Sequence, residues 1–180
     1  NQNYNGEAFN TAIGHLAGTN VLTGIQNTLI GGLAGESLTT GTGNIAIGFS
    51  ALKQEDAHGL NVAIGNGALY YQNAGANAYN VAIGHNAGLT VSTGIQNTLI
   101  GGLAGDALTT GGENIAIGKS ALSSEDTGSK SVAIGVNALT AQDAGGINVY
   151  NVAVGHNAGA AVTTGVQNTI IGGLAGDNLS

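Results

Sequence analysis

Arginine, cysteine, proline, methionine and tryptophan are all missing from this sequence. Without cysteine there is no disulfide framework. Three Lys stand against ten Asp and Glu, for a formal net charge of −7. No basic face for nucleic acid can be built from that set, nor a polybasic patch for direct contact with a membrane. No apolar run approaches the roughly eighteen residues of a spanning helix, and there is no signal peptide. The missing proline matters because 33 Gly would otherwise suggest disorder. With no Pro, and 42% of residues apolar and placed in register, the chain reads as ordered. The missing methionine, at position 1 included, leads us to expect a processed chain or an excerpt of a longer one.

What is present is a repeat. A small polar residue, three mostly apolar residues, Gly, two variable residues and Ala recur ten times, with the Gly at 14, 31, 48, 65, 84, 101, 118, 135, 155 and 172. The spacings are 17, 17, 17, 19, then 17, 17, 17, 20, then 17, so four coils make a unit of 70 or 71 residues. Gly-Ile-Gln-Asn-Thr-Leu-Ile-Gly-Gly-Leu-Ala-Gly starts at Gly24 and again at Gly94, with a near copy from Gly165. We number the coils of a unit first to fourth, beginning after Gly14, Gly31, Gly48 and Gly65. Self-similarity at such a period predicts stacked coils, here a single all-β parallel β-roll or solenoid over 1–180 with about ten coils of 17–20 residues.

Within a coil, a Val-, Ile- and Thr-rich segment ended by Gly predicts a short strand and a corner. A second Gly ten residues later in most coils predicts a second corner, with a looser run between. Two Gly per coil, at about 1 kcal/mol each, leave no room for a helix. Alternation places the second and third strand positions on opposite faces. The third is Ile in nine coils and Val154 in the other; the second is Ala12, Leu29, Ala46, Ala63, Ala82, Leu99, Ala116, Ala133, Ala153 and Ile170. One row fills the interior, and the other forms an apolar stripe that identical chains would cover. The spacing leaves open which row is which; the Ala-rich second row is favoured for the interface because small residues allow close approach. The Asn before most strands is expected to form an amide ladder.

Asn-Val-Ala-Ile-Gly-His-Asn-Ala-Gly at Asn80–Gly88 and Ser-Val-Ala-Ile-Gly-Val-Asn-Ala-Leu at Ser131–Leu139 resemble the head repeats of YadA-like trimeric autotransporter adhesins, and similar repeats of phage tail fibres. The resemblance implies a left-handed parallel β-roll, a homotrimer, and a place on a cell or virion surface in attachment to a host glycan or protein receptor.

Several residues are candidates for chemistry. Glu55-Asp56 and Glu125-Asp126 recur at an offset of 70 in the third coil; paired carboxylates suit a cation, and a charged outer loop is the competing expectation. His15, His85 and His156 follow the strand Gly of each first coil, where copies in a three-fold trimer would converge on a metal or anion. They are otherwise polar corner residues, and His58 has no counterpart. Tyr4, Tyr70, Tyr71, Tyr79 and Tyr150 cluster in the fourth coil or the matching lead-in. As aromatic groups with a polar tip, Tyr70, Tyr71, Tyr79 and Tyr150 are the ligand-contact candidates, the alternative being that they seal a wider coil or contact a neighbouring chain. No catalytic set and no cofactor motif is recognisable. The expectation is a non-enzymatic extracellular or virion fibre segment for adhesion. A purely structural spacer or self-assembling filament subunit is second, and a polysaccharide-cleaving tailspike third.

Overall fold

A computed structural model describes residues 7–179; Tyr4 lies outside them. Among the described residues there is no helix, and each coil contributes one strand of three residues. These are β1 (Thr11–Ile13), β2 (Thr28–Ile30), β3 (Ile45–Ile47), β4 (Val62–Ile64), β5 (Val81–Ile83), β6 (Thr98–Ile100), β7 (Ile115–Ile117), β8 (Val132–Ile134), β9 (Val152–Val154) and β10 (Thr169–Ile171). They form one parallel sheet in chain order. Pairing is without slip, so that Ala46 stands beside Ala63 and Ile47 beside Ile64. The chain is a parallel β-solenoid whose ten strands bound nine full turns. The looser run expected opposite the strands forms no second sheet; its only β-type pairing among the described residues is an isolated bridge, Ser129 with Asn148.

The Gly after each strand is there for two reasons. Gly101 has φ +131°, a region L-residues avoid. A Cβ on it would also stand 2.6 Å from the carbonyl carbon of Gly118 in the next coil. The same conflict recurs from Gly14 to Gly155, so one side chain at any of these positions would push two coils apart.

The interior is filled in two ways. In first and second coils the fourth residue after the strand Gly is another Gly, and the seventh is an inward aliphatic such as Val21, Leu38, Val91 or Leu108. A Cβ on Gly35 would meet Leu38 Cδ1 at 2.7 Å and Leu29 Cδ2 at 2.8 Å. In third and fourth coils the fourth residue is itself the filler: Leu52, Leu69, Leu122 and Leu139 are fully buried. They adopt φ of 49–56°, a left-handed geometry costing about 1–2 kcal/mol per non-Gly residue. Burying a Leu side chain, at about 1.5–3 kcal/mol, offsets that cost.

This packing corrects the favoured assignment of the apolar rows. The second strand row points into the coil: Leu29, Ala46, Ala63, Ala82, Leu99, Ala116, Ala133 and Ala153 are 0% exposed and Ile170 is 7% exposed. Ala12, in the first described coil, is exposed. These residues are core, not interface. The reason is volume. The aliphatics four or seven residues past the strand Gly already occupy the thin interior, so Ala fits opposite most of them, and the larger Leu29, Leu99 and Ile170 fit where the fourth residue is Gly.

The Asn preceding most strands is clamped at both ends of its amide, Asn61 Nδ2 being an exception without a partner. Asn97 Oδ1 accepts the backbone N–H of Asn114 in the next coil at 3.0 Å, and its Nδ2 donates to the Gly111 carbonyl at 2.9 Å. Asn27, Asn44 and Asn80 repeat both bonds. The ladder is therefore side chain to backbone, and Ser131 interrupts it. Replacing Asn97 with Ala leaves a buried N–H and a buried carbonyl unpaired, at about 1–3 kcal/mol each. Chemical denaturation is expected to show a markedly lower midpoint for Asn97→Ala, while Asn66→Ala, on the exposed corner, changes it little.

Candidate functional surfaces

With the second row inside, the first and third strand positions face outward together. They form a band two residues wide, from Thr11 and Ile13 to Thr169 and Ile171, made only of Thr, Val and Ile. At the strand spacing it runs about 45 Å. Within the sheet Ile45, Ile83 and Ile115 are still 36–37% exposed. Parallel sheets are normally covered on both faces; here one face lies on the core and the other is bare in the single chain.

The carboxylate pairs divide between inside and outside. Asp126 is exposed, but Glu55 and Glu125 are 0% exposed, which corrects the reading of both pairs as an outer loop. Each Glu is the seventh residue after its strand Gly, the position that holds Leu38 or Val91 in other coils. Gln72 and Gln142 occupy it in fourth coils and are also fully buried. Polar groups are tolerated there because Leu at the fourth position has taken over the apolar filling. The signal was in the register: these side chains replace inward aliphatics.

The two buried acids differ in their partners. Glu125 Oε1 accepts the Gly128 N–H at 2.7 Å. Its Oε2 accepts from Gln142 Nε2 at 2.9 Å and from the Ala144 N–H at 3.3 Å. Glu55 Oε1 accepts the His58 N–H at 3.1 Å, while its Oε2 and Gln72 Nε2 have no hydrogen-bond partner. Burial pushes the Glu55 carboxyl up from 4.5 to about 7, against the pull of the His58 amide and with a smaller push from Asp56.

Comparison with protein-family models, with curated proteins and with solved structures returns no match.

The tyrosines fall at two corners rather than in one band. Tyr70 and Tyr71 follow β4, with ring centroids 4.6 Å apart. Tyr79 precedes β5 and Tyr150 precedes β9, 55% and 48% exposed. Each corner also carries an acid–Lys–Tyr line across successive coils. Lys53 Nζ lies 3.4 Å from Glu36 and 3.3 Å from the Tyr70 hydroxyl. Lys130 Nζ lies 3.9 Å from Glu113 and 5.6 Å from the centre of the Tyr150 ring. His15, His85 and His156 are exposed, four coils apart, about 19 Å at the strand spacing; one chain does not bring them together. Among the described residues no cavity opens, so these groups lie on open surface.

The Glu55 shift fixes a pH dependence. Its folded pKa lies above the ordinary value, so its stabilisation is complete below about pH 4.5 and is lost as pH rises through about 7. Asp106, also held up by burial, adds in the same direction. The loss from Glu55 is at most about 3 kcal/mol. Thermal melts in chelator-treated buffer are expected to show lower stability near pH 8 than near pH 5, and Glu55→Gln to flatten that difference.

Proposed function

We propose that this chain is a segment of a non-enzymatic surface or virion fibre, in which three copies pack through their outward sheet faces and the assembled rod mediates attachment. The observation that carries this reading is the uncharged Thr/Val/Ile band. An apolar stripe about 45 Å long on a soluble particle calls for a cover, and identical copies related by symmetry supply one without a second gene product. The interface rows in this reading are the first and third strand positions. A left-handed winding accompanies the trimer by resemblance to the adhesin and tail-fibre repeats. The exposed Tyr71, Tyr79 and Tyr150 are the residues we assign to a glycan or protein receptor, since each offers an apolar ring with a hydroxyl at its edge. The location that follows is extracellular, on a cell or virion surface.

Two measurements test this. Sedimentation equilibrium is expected to give three times the 17.5 kDa chain mass, and the double variant Ile100→Lys/Ile117→Lys to sediment as one copy or to precipitate. A well-behaved wild-type monomer overturns the assembly. Glycan-array binding that falls in Tyr71→Ala or Tyr79→Ala supports attachment; an array and receptor screen without binding, on a trimer of proven mass, leaves the structural spacer as the reading.

A further inference from the structure

The 70-residue repeat supplies an internal comparison for the buried acid of the third coil. In the second unit the Glu125 carboxylate lies against Gly128, where a Cβ would stand 2.5 Å from its Cδ. Three donors saturate it there, as described above. In the first unit the residue equivalent to Gly128 is His58, which carries that Cβ. Glu55 therefore cannot lie as Glu125 does. It keeps the His58 N–H but loses the Gln72 amide, and its Oε2 is left fully buried with no partner. The same change brings in an imidazole. His58 Nδ1 stands 3.8 Å from Glu55 Oε1, and this nitrogen too is buried without a partner. The Asp56 carboxylate completes a group whose ligand atoms all lie within 4.8 Å of one another.

We propose that Glu55, Asp56 and His58 bind a divalent transition-metal ion of the zinc class. One imidazole nitrogen with two carboxylates is a donor set for zinc, cobalt or nickel; calcium and magnesium favour oxygen alone. The ion would neutralise the buried Glu55 charge and occupy both unpartnered atoms, and solvent would complete its coordination. Glu125, Asp126 and Asp143 also converge, but they lack a nitrogen donor and the buried carboxylate of Glu125 is already taken. The site therefore belongs to the first unit and is independent of the attachment reading.

The test is calorimetric titration of the chelator-treated full chain with zinc chloride. One equivalent per chain is expected. The same equivalent is expected when His15, His85 and His156 are all changed to Asn, which removes the exposed imidazoles of an assembled fibre. His58→Gly, which recreates the arrangement around Gly128, and Glu55→Gln should each weaken binding by more than about tenfold while still melting cooperatively. Should either variant fail to fold, cobalt(II) broadening of the His58 ring resonances in the wild-type chain, with Asp126→Asn, a change at an exposed side chain of the second unit, as the folded control, reads the same contact. Absence of binding by the wild type, persistence in a folded His58→Gly variant, or loss in the triple His variant would each overturn the proposal.

Discussion

Apart from the two or three extra residues of each fourth coil, residues in this solenoid stand over their counterparts one coil away, at the spacing of paired strands. Whatever is placed in a column is stacked on itself, and the remaining features follow from that. A strand-ending Gly must recur in every coil, because one Cβ would strike the backbone above it. An Asn can bond upward only because the backbone above presents its N–H at the same place. Charges obey the same rule. Glu36, Lys53 and Tyr70 are successive members of one column, and Glu113, Lys130 and Tyr150 of another, so that like charges do not face each other at close range. With only 7% charged residues, the chain sets two of its three lysines beside an acid of the adjacent coil.

The architecture was legible because its cause is periodic. Ten Gly positions in the sequence mark ten corners, and the strands fall on the three residues before each. Alternation separated the strand rows but was silent about direction, since both the Ala/Leu row and the Ile row are apolar. Volume decides it. Leu52 or Leu38 reaches into the same narrow interior, so the inward row is small, as at Ala46 and Ala63, except where Gly at the fourth position makes room for Leu29, Leu99 or Ile170. The buried acids were hidden by a sound prior that Glu lies outside. Their place in the column of Val21 and Leu38 overrides it, since in a stacked coil the position rather than the residue type sets the face. His58 was visible as an oddity without a counterpart. Its significance lies in the geometry of the second unit, where Gly128 stands at the equivalent position and Glu125 leans against it.

The longer unit of about 70 residues is thus an alternation of interiors. First and second coils are dry, with Gly at the fourth position and an aliphatic at the seventh. Third and fourth coils carry Leu at the fourth and Glu or Gln at the seventh, knitting an internal polar line through Glu125, Gln142, Ser131 and Asn151. Such a line resists register errors, since sliding one coil by a repeat would set a carboxylate against Leu or Val. Groups buried in this way favour one arrangement over near-degenerate ones, a useful property where every coil resembles its neighbours.

The direction of the inter-coil hydrogen bonds has a mechanical meaning. They run along the axis of the stack, so tension on the rod pulls each bond end to end instead of shearing a whole sheet at once. A coil that gives way frees 17 residues of chain, roughly 55 Å of slack, while the coils on either side keep their own pairings. Under load the rod would lengthen in steps and dissipate work at each one, as a tether does when it yields without snapping.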